Sequence, residues 1–188
     1  MCVYSRRVFN RKLSLGIVAL TVLLGSACAP VIQGAAPIRK GVTAYEGNSA
    51  SIFDDSFSST AAGFPGASSN APGHDKLFGS RAQMADFIVS ARLITTESPP
   101  AGGHLITFRT LEKVAGRQNA PGMFQVQLAP ENVYNKLLDI PNSPLFGKPL
   151  LVFVKEFATD GVLVRHMYVA PDTNEVRLAV ASQMAKSL

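Results

Sequence analysis

Cysteine is nearly missing from this chain. Cys2 and Cys28 are its only two, and every residue after position 28 must do without a thiol. That excludes a disulfide framework and a thiolate zinc site from the long C-terminal part, whose stability must come from a packed core. Histidine is scarce as well: His74, His104 and His166 stand far apart, with no pair at the spacing of a metal site on one element. A surface or structural role is the expectation for each. No Gly-x-Ser-x-Gly elbow, phosphate loop or dinucleotide fingerprint occurs, so the sequence assigns no catalytic residue, no metal and no cofactor, and the expectation is a protein that is not an enzyme. Lysine and arginine form no stripe and do not interleave with aromatics, which leaves no case for nucleic acid as a partner.

Acid is absent too, over a long stretch: none precedes Glu46. Four of the 18 basic residues lie before Cys28 and none of the 13 acidic ones does, so the net charge of +5 falls to +1 once the first 27 residues are set aside. The longest early apolar run, residues 13–24, has 12 residues. As a helix it would reach about 18 Å, well short of a hydrocarbon core of about 30 Å.

What is present at the N-terminus is an ordered series. Arg6, Arg7, Arg11 and Lys12 come first, then the short apolar run, then the small residues Gly25, Ser26 and Ala27, then Cys28. A charged start, a greasy segment and small residues at its far end make a cleavable export signal. Residues 25–28 resemble the lipobox of bacterial lipoproteins, in which Leu, then Ala or Ser, then Gly or Ala, precede the cysteine. Ser26, Ala27 and Cys28 match it, and Gly25 stands where Leu is commonest. The resemblance implies that residues 1–27 are removed, that Cys28 takes a diacylglycerol on its thiol, and that its new amino group is acylated. Such chains, at about 0.8 kcal/mol per buried CH₂, make attachment permanent. An ordinary secretory cleavage site that happens to precede a cysteine is the competing reading. Upstream, Ser5-Arg6-Arg7-Val8-Phe9 with Lys12 resembles the twin-arginine export motif, Asn10 departing from the usual Leu; a Sec signal with an adjacent arginine pair fits the same residues. In the lipoproteins it resembles, Asp directly after the cysteine commonly retains the protein in the inner membrane. Ala29 stands there instead. The expected location is therefore the bacterial cell envelope: the periplasmic face of the outer membrane, or the outer face of the plasma membrane in a cell with one membrane.

Residues 29–75 are dominated by Ala, Ser, Gly and Pro and carry neither helical nor strand periodicity. The composition predicts a disordered tether from Cys28 to Asp75, averaging about 35–40 Å end to end as a random coil. Phe53, Phe57 and Phe64 do not suit a pure spacer; they read as a short docking segment or as residues that pack back on the domain. Asp54 and Asp55 read as a solvated pair.

The globular domain is expected over residues 76–188. Residues 80–86 suit a short helix capped by Ser80, with Gln83 three positions on. Residues 87–96 alternate, with Phe87, Val89, Ala91 and Leu93 on one face, as do 105–114 and 123–128. Pro130 opens a short helix to Leu138. Residues 150–157 are almost unbroken apolar, which predicts a central strand buried on both faces. Asp160-Gly161 between two apolar runs predicts a tight hairpin. Beyond Pro171, Asp172 and Glu175 suit a helix cap, while Val176, Leu178 and Val180 also suit a strand. The fold class that follows is mainly β with short helices: a small antiparallel five-stranded sheet or barrel.

Residues 85–89, then 111–116, then Gly147-Lys148-Pro149-Leu150-Leu151-Val152-Phe153, follow in an order that resembles the OB-like barrel of netrin-like and metalloproteinase-inhibitor modules. Those modules use disulfides and an N-terminal cysteine ridge that this chain lacks, so the resemblance implies a fold and no inhibitory activity. Two functions follow. The first is a membrane-anchored, non-catalytic envelope lipoprotein that binds a partner protein or assists a complex. The second is a module for a small ligand or a polymer such as lipid or peptidoglycan, for which Arg165 and His166 are the candidate ligand-facing residues.

Overall fold

A computed structural model describes residues 41–64, 72, 75–141 and 143–186. The alternating stretches become strands and build a curled six-stranded sheet, a half-barrel, in the order β1-β6-β5-β2-β3-β4. Its members are β1 (Ser56–Phe57), β2 (Phe87–Glu97), β3 (His104–Ala115), β4 (Met123–Leu128), β5 (Leu150–Thr159) and β6 (Val162–Pro171). Five pair antiparallel in the expected series of hairpins and returns. The sixth, β1, runs parallel to β6, so the sheet is mixed rather than purely antiparallel. Register shifts at three points along the β2–β3 ladder leave an extra residue on β3 twice and on β2 once. Irregularities of that kind bend and twist a strand, which suits a sheet that rolls up.

β5 lies between β6 and β2, and its residues from Leu150 to Val154 are all fully buried. Alternation sends Leu150, Val152 and Val154 to the concave face, with Phe87, Val89, Ile106, Phe108, Phe124 and Val126. Leu151, Phe153 and Phe157 go to the convex face, under the helices. The β5–β6 turn has φ of 51° at Asp160 and 77° at Gly161. That is the left-handed pair that a two-residue hairpin requires.

Helices cover the convex face: α1 (Gly47–Ile52), α2 (Phe78–Met84) and α4 (Asn174–Ala185), with the single turn α3 (Asn135–Leu138) between β4 and β5. Three local expectations shift. α2 begins at Phe78, two residues before Ser80, because Asp75 Oδ1 accepts from the amide of Leu77 at 2.9 Å. The helix expected from Pro130 shrinks to α3, because the Asn132 side chain accepts from the amide of Tyr134 and makes a turn there instead. The C-terminal segment is a helix, but its cap is Thr173, whose Oγ1 accepts from Val176 N at 3.3 Å. Asp172 is committed elsewhere: it accepts from Ser90 Oγ at 2.6 Å and from Arg177 Nε at 2.6 Å, tying α4 to β2.

The largest correction concerns the expected tether. Residues 41–64 lie on the domain, so ordered structure begins well before Lys76. Ala44 bridges Ala158, β1 adds to the edge of β6, and Ser58 N donates to Val169 O at 2.7 Å. Phe53 and Phe57 are 0% and 2% exposed, the first in the convex core and the second in the concave one. The physical reason is that a few large apolar side chains suffice to dock a segment whose other residues are small. At about 25 cal/mol per Å², two buried phenylalanines contribute several kcal/mol against the cost of ordering. Phe64 stays 55% exposed. No described helix is long and apolar enough to cross a membrane.

Candidate functional site

Docking of residues 43–58 across β6 creates a cleft that neither element would form alone. One wall is Tyr45 with Asp54, Asp55 and Ser56; the other is the β4–α3 loop with Glu131, Asn132, Val133 and Tyr134; His166 contributes from β6. The cavity measures about 500 Å³.

Its base is a tight cluster. Asp55 sits in a left-handed backbone conformation, φ 54°, and is 6% exposed. Its Oδ1 accepts from Met167 N at 2.9 Å and its Oδ2 from His166 Nδ1 at 2.7 Å. The imidazole stacks on the Tyr45 ring, centroids 3.5 Å apart and 3° from parallel, and Phe157 packs edge-on against both. The Tyr45 hydroxyl donates to Phe53 O at 3.0 Å. The far wall is stitched to the docked segment by Asn132 Nδ2, which donates to Asp55 O at 3.1 Å, and by the Tyr134 hydroxyl, which donates to Phe57 O at 2.8 Å. Asp55 is thus the opposite of a solvated residue. Asp54 keeps that description: its side chain is 47% exposed, with Arg81 3.6 Å away.

Burial dominates the electrostatics. It pushes the Tyr45 phenol up to about 12, with the Asp55 and Asp54 charges adding to the effect. It also raises the Asp55 carboxyl, against the opposing hydrogen bond and charge of His166 and the Met167 amide. Burial raises Tyr134 as well, Asp54 adding to it. With both Asp55 oxygens and His166 Nδ1 engaged, the cluster acts as a buried staple. Ser56 Oγ donates to Asp54, not to the imidazole.

Beside the cleft, and sharing Val133 and Tyr134 with it, lies an apolar hollow of about 380 Å³ that adds Phe64, Lys136, Leu137 and Ile140. Val133 is 78% exposed and Ile140 51%.

Arg165 and His166, expected together on a ligand-facing strand, are sent to opposite faces by strand alternation. His166 goes under Tyr45. Arg165 goes to the mouth of the half-barrel with Thr107, Met123 and Gln125, where its Nε donates to Glu156 Oε1 at 3.0 Å. Glu156 is 4% exposed, and its Oε2 has no hydrogen-bond partner among the described residues. His104 is buried, bridging Asn135 Oδ1 and Asp139 Oδ1 at 3.0 Å each, a structural position. Among the described residues no three potential metal ligands converge. Arg6, Arg7, Gly25, Ser26, Ala27, Cys28 and His74 lie outside the described residues.

Tyr45, Asp55, Asn132 and Tyr134 carry the cleft and are not singled out by sequence reasoning as site residues. The available signal was Asp55 flanked by Phe53 and Phe57, an acid held between two residues destined for the core. Comparison with known protein families, curated proteins and solved structures finds no match.

Proposed function

We propose that the chain is a lipid-anchored bacterial envelope protein whose β-rich domain binds a partner protein and does no catalysis. The anchor is Cys28, acylated after removal of residues 1–27, and Ala29 in place of a retaining Asp directs it to the outer membrane, facing the periplasm. The fold we assign to the domain is OB-like. The strand order β6-β5-β2-β3-β4, with a helical turn between β4 and β5 and β6 curling back toward β4, supports that assignment.

The observation that carries the partner-binding reading is the contrast between the inside and the outside of the sheet. The concave face, where a barrel would hold a lipid or a small ligand, is filled by Phe87, Phe108, Phe124 and their neighbours, each at most 3% exposed. Apolar surface is instead offered outward, at Phe64, Val133 and Ile140 beside a polar cleft. Contiguous exposed apolar surface with a polar rim is what protein interfaces use.

Two measurements test this. Cys28→Ser should leave the protein unprocessed or released from membranes; recovery at the mature mass in the membrane fraction would remove the anchor. A photo-crosslinking residue at position 133, activated in intact cells, should give a discrete protein adduct, and a matching residue at exposed Leu178 should not.

A further inference from the structure

The partner's chemistry can be read from the surface. The cleft and the apolar hollow share Val133 and Tyr134, so they adjoin and together form one composite concavity. One end carries Asp54 and Glu131; the other carries Phe64, Leu137 and Ile140. Asp54 accepts from the Ser56 hydroxyl, but its ion pair among the described residues is loose, since Arg81 is otherwise committed to Asp75 at 2.7 Å, to the Ile52 carbonyl at 2.8 Å and to the face of Tyr168. Glu131 is exposed and makes no ion pair among the described residues. We infer that this concavity seats an extended segment of the partner protein in which a lysine or arginine adjoins aliphatic residues, the cation lying between Asp54 and Glu131 and the aliphatics against Val133, Ile140 and Phe64.

This rests on the partner-binding reading and adds the partner's sign and polarity pattern. Charge complementarity chooses the occupant. An anionic lipid surface would meet Asp54, Glu131 and, beside Ile140, the exposed Asp139. Three carboxylates around an apolar patch repel such a surface, against the single Lys136 that would attract it. A basic segment gains from the same charges, and rim charges of this kind set specificity and encounter rate.

The test uses the full chain purified in detergent and three fluorescent peptides. One carries paired lysines followed by leucines, the second has glutamates for the lysines, and the third has serines for the leucines. The lysine–leucine peptide should bind about ten-fold tighter than either control. That preference should fall in high salt, where exposed charges are screened. Glu131→Lys and Val133→Asp, both at exposed positions, should each remove most of the binding. Equal binding of the glutamate–leucine peptide, binding unchanged by Glu131→Lys, or no binding at all overturns the inference. So does Val133-dependent attachment to phosphatidylglycerol vesicles, or Val133-dependent self-association in sedimentation. Failure of the peptides alongside a protein adduct at position 133 in cells would sink this inference and leave the partner-binding reading standing. Failure of both would sink the two together.

Discussion

Asp55 and His166 meet at 2.7 Å across 111 residues of sequence, and the same carboxylate takes the amide of the next residue, Met167, at 2.9 Å. One side chain thus locks residues 43–58 onto β6 from a backbone conformation, φ 54°, that few residue types adopt comfortably. The cleft exists because this contact holds.

Asp55→Ala should therefore destabilise the domain by about 2–4 kcal/mol, through a buried amide left unpaired and a strained left-handed alanine. Asp55→Asn should cost less, since asparagine tolerates positive φ and its carbonyl oxygen can still accept from Met167. Urea unfolding midpoints compare the two; equal losses would show that the carboxylate's charge, not its geometry, is what holds the segment.

Phe53→Ala should cost about 3–5 kcal/mol, as expected for a large side chain removed from a packed core. Phe64→Ser, at an exposed position, should stay within about 0.5 kcal/mol of the parent. Thermal melts of both variants check this, and a parent-like melt for Phe53→Ala would mean that residues 41–64 are not part of the cooperative unit.

At low pH the anchoring of α4 should loosen. The Arg177 guanidinium beside Asp172, helped by the Ser90 hydroxyl, holds that carboxyl below the usual carboxylate range against the opposing effect of burial. A depressed value in the folded state means stabilisation that is present above the ordinary aspartate value of about 3.9 and lost as pH falls through the lower folded one. Methyl resonances of Val176 and Val180 should report loosening below about pH 4. Asp172→Asn should flatten that dependence.

At high pH the tyrosines act in the opposite sense. Tyr45 is pushed up to about 12, and burial raises Tyr134 and Tyr168 too. An unfolded phenol ionises near 10, so the stabilisation is complete below that value and lost as pH rises toward the folded ones. Phenolate absorbance of the native protein should lag that of the urea-unfolded chain between about pH 10 and 12. Coincident curves would show that Tyr45 is not covered.

What could be read in advance follows from which signals are local. Periodicity located the strands from Phe87 to Leu128, and an unbroken apolar run located β5, because each reports its own burial. Asp160-Gly161 announced its turn through backbone preference alone. The docked segment 41–64 was hidden because its helix and strand are short, and its order depends on Phe53, Phe57 and Asp55 finding partners more than a hundred residues away. Average composition dilutes three such residues among alanines and serines. The cleft was hidden for the same reason, since its two walls, joined by Asn132 and Asp55, stand 77 residues apart in the sequence. Arg165 and His166 were paired by adjacency, although neighbours on a strand face opposite ways.

The entry of the chain into the sheet at residue 43, where Thr43 O accepts from Ala158 N, also sets a reach. From Cys28 to that point there are 15 residues, and even fully stretched they span at most about 50 Å. Forty-seven residues, running to Asp75, would have allowed about 160 Å. A domain held through Cys28 is accordingly on a short leash. Were Cys28 to carry the proposed lipid, the point of entry at residue 43 would stay within that distance of the lipid surface, and a longer insertion before residue 43 would extend that reach without altering the cleft.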